Sequence, residues 1–289
     1  GEPWVNGASM NNQGVEFTVS FKSDPSSEFQ WAVSANIGTY KTELTDLPSN
    51  VINKYAGDGV HDLILGRSPN SAYGLVADGI FKTQEEVDAH ADQPGKAVGR
   101  IRYKDLDGDG VINETYDRTW IGCYDPDFFG GLNFDFAYKG FDLNLFFEGM
   151  FGNDVNSDWK KESDIWLFTN PAWKNHATRM LGGWSPDNPN SDIPAISNNT
   201  ANQEQRFSSW FIEDGSYIKL RNIELGYTFP TKLIKKMHMS NLRLYAAAYN
   251  VFTLKKFWGD DKYTSFDPER PSYHYLTPFT FNFGINVSF

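Results

Sequence analysis

The last eleven residues, Phe279 to Phe289, read FTFNFGINVSF and constrain the fold more than any other stretch. Every odd position is apolar: Phe279, Phe281, Phe283, Ile285, Val287 and Phe289. The even ones are small or polar: Thr280, Asn282, Gly284, Asn286 and Ser288. Side chains alternate across a strand, so this segment has one wholly apolar face and one polar face. No charge interrupts it. A membrane strand needs about 9–11 residues with lipid-facing and lumen-facing positions alternating. Taken alone, the segment suits a membrane barrel and a soluble β-sandwich equally.

Recurrence separates the two. Val15, Phe17, Val19 and Phe21 alternate with Glu16, Thr18, Ser20 and Lys22, and Phe29, Trp31, Val33, Ala35 and Ile37 with Gln30, Ala32, Ser34 and Asn36. The pattern returns at Leu132–Tyr138, at Phe141–Glu148 and, through Ile223, Leu225, Tyr227 and Phe229, after Asn222. The polar faces carry carboxylates and amides, which suits a wet lumen. The apolar faces carry almost no charge, as expected where a basic residue at mid-bilayer costs about 2–4 kcal/mol. Leu242–Phe252 is apolar on both faces around Tyr245-Ala246-Ala247-Ala248-Tyr249 and reads as a less regular strand.

Aromatic residues make up 16% of the 289, many at strand ends where an interfacial girdle would place them. No run is long and apolar enough for a membrane helix, and alternation hides barrel strands from averaged hydropathy. A single cysteine, Cys123, excludes an internal disulfide framework. The net charge of −11 disfavours nucleic acid as a partner. Gly1 leads almost at once into a strand, without initiator methionine or signal peptide, and an open sheet edge is not viable in a bilayer. The expectation is therefore a piece of a longer chain whose remaining segment closes the sheet.

Connection lengths give the direction. Short turns at Lys22–Ser27 and Tyr138–Phe141, and a short basic stretch after Pro230, belong on the periplasmic side. Long connections of about 42–127, 152–207 and 255–278 then fall outside, and the C-terminus ends in the periplasm. A further hairpin between His61 and Ile80, turning around Arg67–Asn70, would leave this parity unchanged.

One discrete chemical motif lies in these outer segments. Asp105-Leu106-Asp107-Gly108-Asp109-Gly110-Val111-Ile112 is the first half of an EF-hand-type loop. Asp105, Asp107 and Asp109 supply hard oxygens, Gly110 allows the sharp turn, and Val111 can offer its carbonyl to Ca²⁺. The closing carboxylate belongs at position 12; Tyr116 stands there and Asp117 follows one residue later. The competing reading is an acidic turn pointing into water. If calcium binds, it stiffens the loop and has no catalytic part. No catalytic constellation appears: the five histidines lack ligand spacing, and nucleophile-elbow, phosphate-loop and C-x-x-C motifs are absent. Trp159, Trp166, Trp173 and Trp184 crowd one outer connection; packing within it is the plainer role, and substrate or partner contact the other.

The chain resembles the C-terminal part of the SusC/RagA family of TonB-dependent outer-membrane transporters. The resemblance covers essentially the whole chain. It rests on NNQGVEF (Asn11–Phe17), YGLVADGIFKTQEEVDA (Tyr73–Ala89), GRIRYKDLDGDGVI (Gly99–Ile112), the run from Ile121 to Asp154, FIEDGSYIKLRNIELGYTFP (Phe211–Pro230), NLRLYAAAYNVFTLKKFWGDD (Asn241–Asp261) and the terminal strand. It implies an all-β transmembrane antiparallel β-barrel of about 22 strands around a plug, of which this chain supplies the last seven to nine. The plug, the first strands and the TonB contact would lie in a preceding segment. It also implies the bacterial outer membrane, lipid around the wall, a SusD-like surface lipoprotein as partner, oligosaccharides or peptides as cargo, and no enzymatic activity. The alternatives are a passive porin-type barrel and a soluble extracellular β-sandwich that binds glycans through its tryptophans.

Overall fold

The computed structural model describes residues 7–49, 55–57, 62–165, 176–197, 200–255, 266–271 and 275–289. In chain order, β1 (Ser9–Lys22) and β2 (Phe29–Asp46) form a long hairpin. The first long connection then carries β3 (Ser71–Leu75), β4 (Ala77–Ile80), a helix at Gln84–Ala89, β5 (Ile101–Tyr103) and β6 (Arg118–Cys123). A second hairpin, β7 (Phe128–Tyr138) and β8 (Phe141–Phe151), leads into β9 (Asp154–Asn156) and, far along, β10 (Ile212–Asp214). The chain closes with β11 (Tyr217–Thr228), β12 (Asn241–Lys255) and β13 (Thr280–Ser288).

Seven of these strands form one antiparallel sheet in the order β1-β2-β7-β8-β11-β12-β13, an up-and-down meander. Its register decides its chemistry. One row of partners runs Phe21, Val33, Phe134, Leu145, Ile223, Ala248, Phe281, apolar across all seven strands. The row opposite in phase runs Ser20, Ser34, Asn133, Phe146, Asn222, Tyr249, Thr280. A slip of one residue at any strand would flip its whole apolar set. Instead all seven agree, so the sheet has one continuous apolar face and one polar face. The less regular strand anticipated at Leu242–Phe252 belongs here too: Leu242, Leu244, Ala246 and Ala248 pair with the odd residues of β13.

The polar face is held by amides and ion pairs. Asn144 donates through Nδ2 to Asn133 at 3.0 Å and Asp135 at 2.7 Å, and Asn222 donates to Asn144 at 3.0 Å. Near the short turns, Arg243 is hydrogen-bonded to both Asp142 and Glu224. The Tyr245 ring lies over Gly284, where a side-chain Cβ would come within 2.2 Å of it, so this cross-strand pair requires glycine. The β7–β8 turn places Lys139 and Gly140 at φ 48 and 87, the positive values of a two-residue type I′ hairpin.

Strand ends differ from expectation. β2 reaches Asp46 and β11 begins at Tyr217, so the outer connections start after 46 and run on to 216. β11 reaches so far because a bulge at Arg221 corrects its phase: Ile218 and Leu220 are even, Ile223 and Leu225 odd, yet all share the apolar face. Neither half of the hairpin anticipated between His61 and Ile80 pairs with the other among the described residues. β3 pairs with β6, and β4 with β5, outside the wall; His61 itself lies outside the described residues.

The outer connections fold into a cap with its own core. Leu75, Ile80, Ile101, Tyr103 and Ile112 from the first connection pack with Ile165 and Phe211 from the second. Backbone hydrogen bonds stitch the two: Leu75 N–H donates to Phe207 at 3.1 Å, and β9 pairs with β10. Inside, Glu204 accepts from the Ile101 N–H at 2.8 Å and pairs with Arg100, while Gln93 bridges Ile101, Tyr103 and Asn202. Burying both charges is tolerable because each is paired and further hydrogen-bonded.

Candidate functional site at the external mouth

Connection lengths place the cap, and with it the chemistry, at one end of the wall. In the acidic loop the carboxylates fold the backbone around themselves. Asp105 accepts from Gly108 N–H at 2.7 Å and Gly110 N–H at 2.9 Å; Asp107 accepts from Asp109, and Asp109 from Val111. Gly108 and Gly110 have positive φ of 76 and 84, which the tight winding requires. Ligand oxygens of Asp105, Asp107 and Asp109 lie within 4.8 Å of one another. Hydrogen bonds from the Gly110 and Gly108 amides hold the Asp105 carboxyl below its ordinary pKa. At Asp107 the Asp109 amide pulls the same way, but desolvation and the charges of Asp109 and Asp117 outweigh it and raise the pKa. Asp117 is fully buried and stands apart from the three: its two oxygens accept from Leu106 N–H at 2.8 Å and Asn113 N–H at 2.7 Å, latching both ends of the loop. Val111 forms an isolated bridge with Asp92, flanked by hydrogen bonds from Asp92 N–H to the Gly110 carbonyl and from Ile112 N–H to Asp92.

The tryptophans separate. Trp159 meets Phe266 edge-on at 4.7 Å, and Trp184 packs against the cap core; Trp166 and Trp173 lie outside the described residues. Trp210, not singled out from the sequence, also packs on that core, with Lys160 over its ring at 4.7 Å.

Where cap and wall meet, a charge cluster clamps the third connection. Lys219 on β11 pairs with Asp267 at 2.6 Å and with Glu269; Arg221 pairs with Glu148 at 2.7 Å and with Glu269. Burial alone would raise Glu269, but hydrogen bonds and charge from Lys219 and Arg221, with the Tyr217 hydroxyl, bring it down to about 2. Beside this cluster a recess of about 580 Å³ is lined by Tyr124, Met150, Tyr217, Glu269 and the polar side chains around β9. Those side chains come from Asn153-Asp154-Val155-Asn156-Ser157-Asp158, whose alternation of amide and carboxylate directly after a wall strand was the overlooked signal.

A seven-stranded meander with one apolar face, capped at one end by its long connections, narrows the fold to a barrel wall, and comparison with known proteins agrees. The chain is 30% identical to TonB-dependent receptor P3 of Formosa agariphila, over 97% of its own length and 29% of the receptor's. It is 26% identical to TonB-dependent receptor SusC of Bacteroides thetaiotaomicron, over 97% of the chain and 26% of SusC. Over nearly its whole length the chain is similar to TonB-dependent receptors, SusC among them. It spans about three tenths of the length of the curated relatives it matches. Its fold superposes on the RagAB peptide transporter with a TM-score of 0.73 at 23% identity, covering 98% of this chain and 30% of that one. No family model matches. The members it matches are receptors and transporters, not enzymes, and the wall is the all-β antiparallel architecture they share.

Proposed function

We propose that this chain forms wall and external cap of a TonB-dependent importer in the bacterial outer membrane. The importer would take up oligosaccharides or peptides together with a SusD-like surface lipoprotein. The observation that carries this reading is the register: a sheet with one continuous, exposed apolar face fits lipid, and its amide- and charge-bearing face fits an aqueous, gated lumen. The remaining strands, the plug and the TonB contact fall to the rest of the protein. The name of TonB-dependent receptor SusC supports TonB-dependent uptake, and that of the RagAB peptide transporter supports peptide cargo; the lipoprotein partner and oligosaccharide cargo follow from the family resemblance.

Exposed apolar side chains on the cap are the proposed lipoprotein contacts: Leu181 is 89% and Tyr275 86% exposed. With Trp159 and Trp184 turned to packing, these serve a lid better. Replacing both Leu181 and Tyr275 with Glu should sharply reduce co-purification of the lipoprotein with the complete tagged transporter from solubilised membranes. Undiminished recovery places the docking surface elsewhere.

The acidic loop supports a second assignment, one structural Ca²⁺ held by Asp105, Asp107, Asp109 and the Val111 carbonyl. Affinity in the range of about 10⁻⁴–10⁻³ M fits an extracellular site whose carboxylates are half-buried at Asp105 and exposed at Asp107 and Asp109. Calorimetric titration of the complete protein with calcium should show one such site, lost in Asp107→Ala without loss of the barrel. An identical isotherm for the variant rejects it.

A further inference from the structure

At the rim that carries the short turns, the apolar face of the wall ends in aromatic rings. Phe29, Tyr138, Phe141 and Tyr227 are successive register partners across β2, β7, β8 and β11. Ring centroids lie 6.3 Å apart for Phe29 and Tyr138 and 4.6 Å apart for Phe141 and Tyr227. Phe229 closes on Tyr227 at 5.0 Å. Such a girdle marks the depth at which hydrocarbon gives way to headgroups. The chain leaves it at Phe229 and Pro230 and enters the turn between β11 and β12. This turn therefore stands at headgroup level.

The turn is a short helical coil, α at Thr231–Ile234 and 3₁₀ at Lys235–Met237, ended by His238 at φ 57. Its helix lies against β12, and Ile234 is buried. Residues four apart share a helical face. Leu233 and Met237 therefore stand together on one flank, 63% and 59% exposed. Lys232 and Lys236 share another, and Lys235 is exposed beside them. No acidic residue occurs from Phe229 to Asn241, although the chain as a whole has a net charge of −11. Elsewhere on this rim the cations are matched: Lys139 pairs with Glu28 at 3.1 Å, and Arg243 with Asp142 and Glu224. Among the described residues, no carboxylate pairs with Lys232, Lys235 or Lys236.

We propose that the β11–β12 turn is a docking surface for anionic phospholipid headgroups. Lys232, Lys235 and Lys236 meet the phosphate oxygens, and Leu233 and Met237 enter the adjoining acyl layer. Two observations choose this occupant. The turn continues directly from the aromatic row of the lipid-facing side, and its unmatched positive charge selects the anionic kind of lipid. A soluble acidic partner would use the lysines but leave the apolar flank in water. The inference rests on the membrane reading of the wall and adds the class of lipid that its periplasmic rim selects.

The test is native mass spectrometry of the complete transporter in neutral detergent, offered equimolar phosphatidylglycerol and phosphatidylcholine. Phosphatidylglycerol should be retained about tenfold over phosphatidylcholine, and added salt should reduce that preference. Lys232→Gln, Lys235→Gln and Lys236→Gln combined should bring the ratio close to one, and the three matching Arg substitutions should keep it. Lys41→Gln, at an exposed lysine near the external end of β2, should leave it unchanged. Unchanged heat-modified mobility of each variant on gels verifies an intact barrel. A full preference in the triple Gln variant overturns the proposal. So does retention of hexaglutamate in place of lipid, lost in that variant, which reassigns the turn to an acidic protein segment. Equal retention of both lipids by the unsubstituted transporter overturns this inference alone. A transporter that retains neither lipid and stays monodisperse without detergent overturns the membrane reading itself.

Discussion

The wall and the cap are built by one chain for opposite surroundings. In the wall, Phe283 is 79% exposed and Val15 70%, and nearly every apolar side chain on that face points away from the protein. In the cap, Leu75, Ile101 and Tyr103 are fully buried, and exposed apolar residues are scattered. The wall takes its hydrophobic partner from outside; the cap must supply its own. Their polar groups differ in the same sense. On the wall, Asn133, Asp135, Asn144 and Asn222 share an open ladder along one face, whereas in the cap Glu204 and Arg100 are enclosed with the amides of Gln93 and Asn202. A sheet in lipid is thus stabilised by closed backbone pairing and a uniform outer face, and a cap in water by side-chain burial.

This contrast can be broken by substitution. The largest effect is expected in the cap core: Phe211→Ala should destabilise the cap by about 3–5 kcal/mol, because a fully buried ring is lost from a packed cluster. Limited proteolysis of the assembled protein should then cut within the cap while the wall keeps its heat-modified mobility. Loss of both together would show that cap and wall fold as one unit. On the wall, Phe283→Lys should cost about 2–4 kcal/mol and impair membrane assembly, whereas Asn282→Lys, on the polar face, should assemble normally. Equal yields of the two would mean that the apolar face does not meet lipid.

The smallest effect sits at the seam. The Glu269 pKa is depressed from 4.5 to about 2, so its contribution is complete above about pH 4.5 and disappears as pH falls through about 2. Protection from hydrogen exchange at 266–271, taken relative to the intrinsic rate at each pH, should fall over that window and be insensitive to it in Glu269→Gln. A variant that keeps the same pH dependence would assign the clamp to another carboxylate.

Much of this was legible before any coordinates. A period of two over Phe279–Phe289 and its six counterparts is a purely local signal, and side-chain alternation converts it directly into strands with a defined outer face. The three-aspartate loop was equally readable, because its carboxylates lie within five residues and wind the backbone through their own short-range hydrogen bonds. The role of Asp117 was not. Only the folded loop shows that its oxygens hold Leu106 and Asn113.

What the amino-acid order determined by itself was the wall: a run of alternating strands, expected to number seven to nine, and the face most of them present. Neighbouring strands are joined by turns, or by connections that leave and return at the same rim, so local pattern and short-range pairing suffice. What only the tertiary structure decided was the cap, the Arg221 bulge and the recess beside β9. Leu75 meets Phe211, Glu204 meets Arg100, and Tyr217 comes to face Asn153 across long separations in the chain. Such contacts follow no period, because they arise from the packing of segments whose closeness only the folded backbone creates.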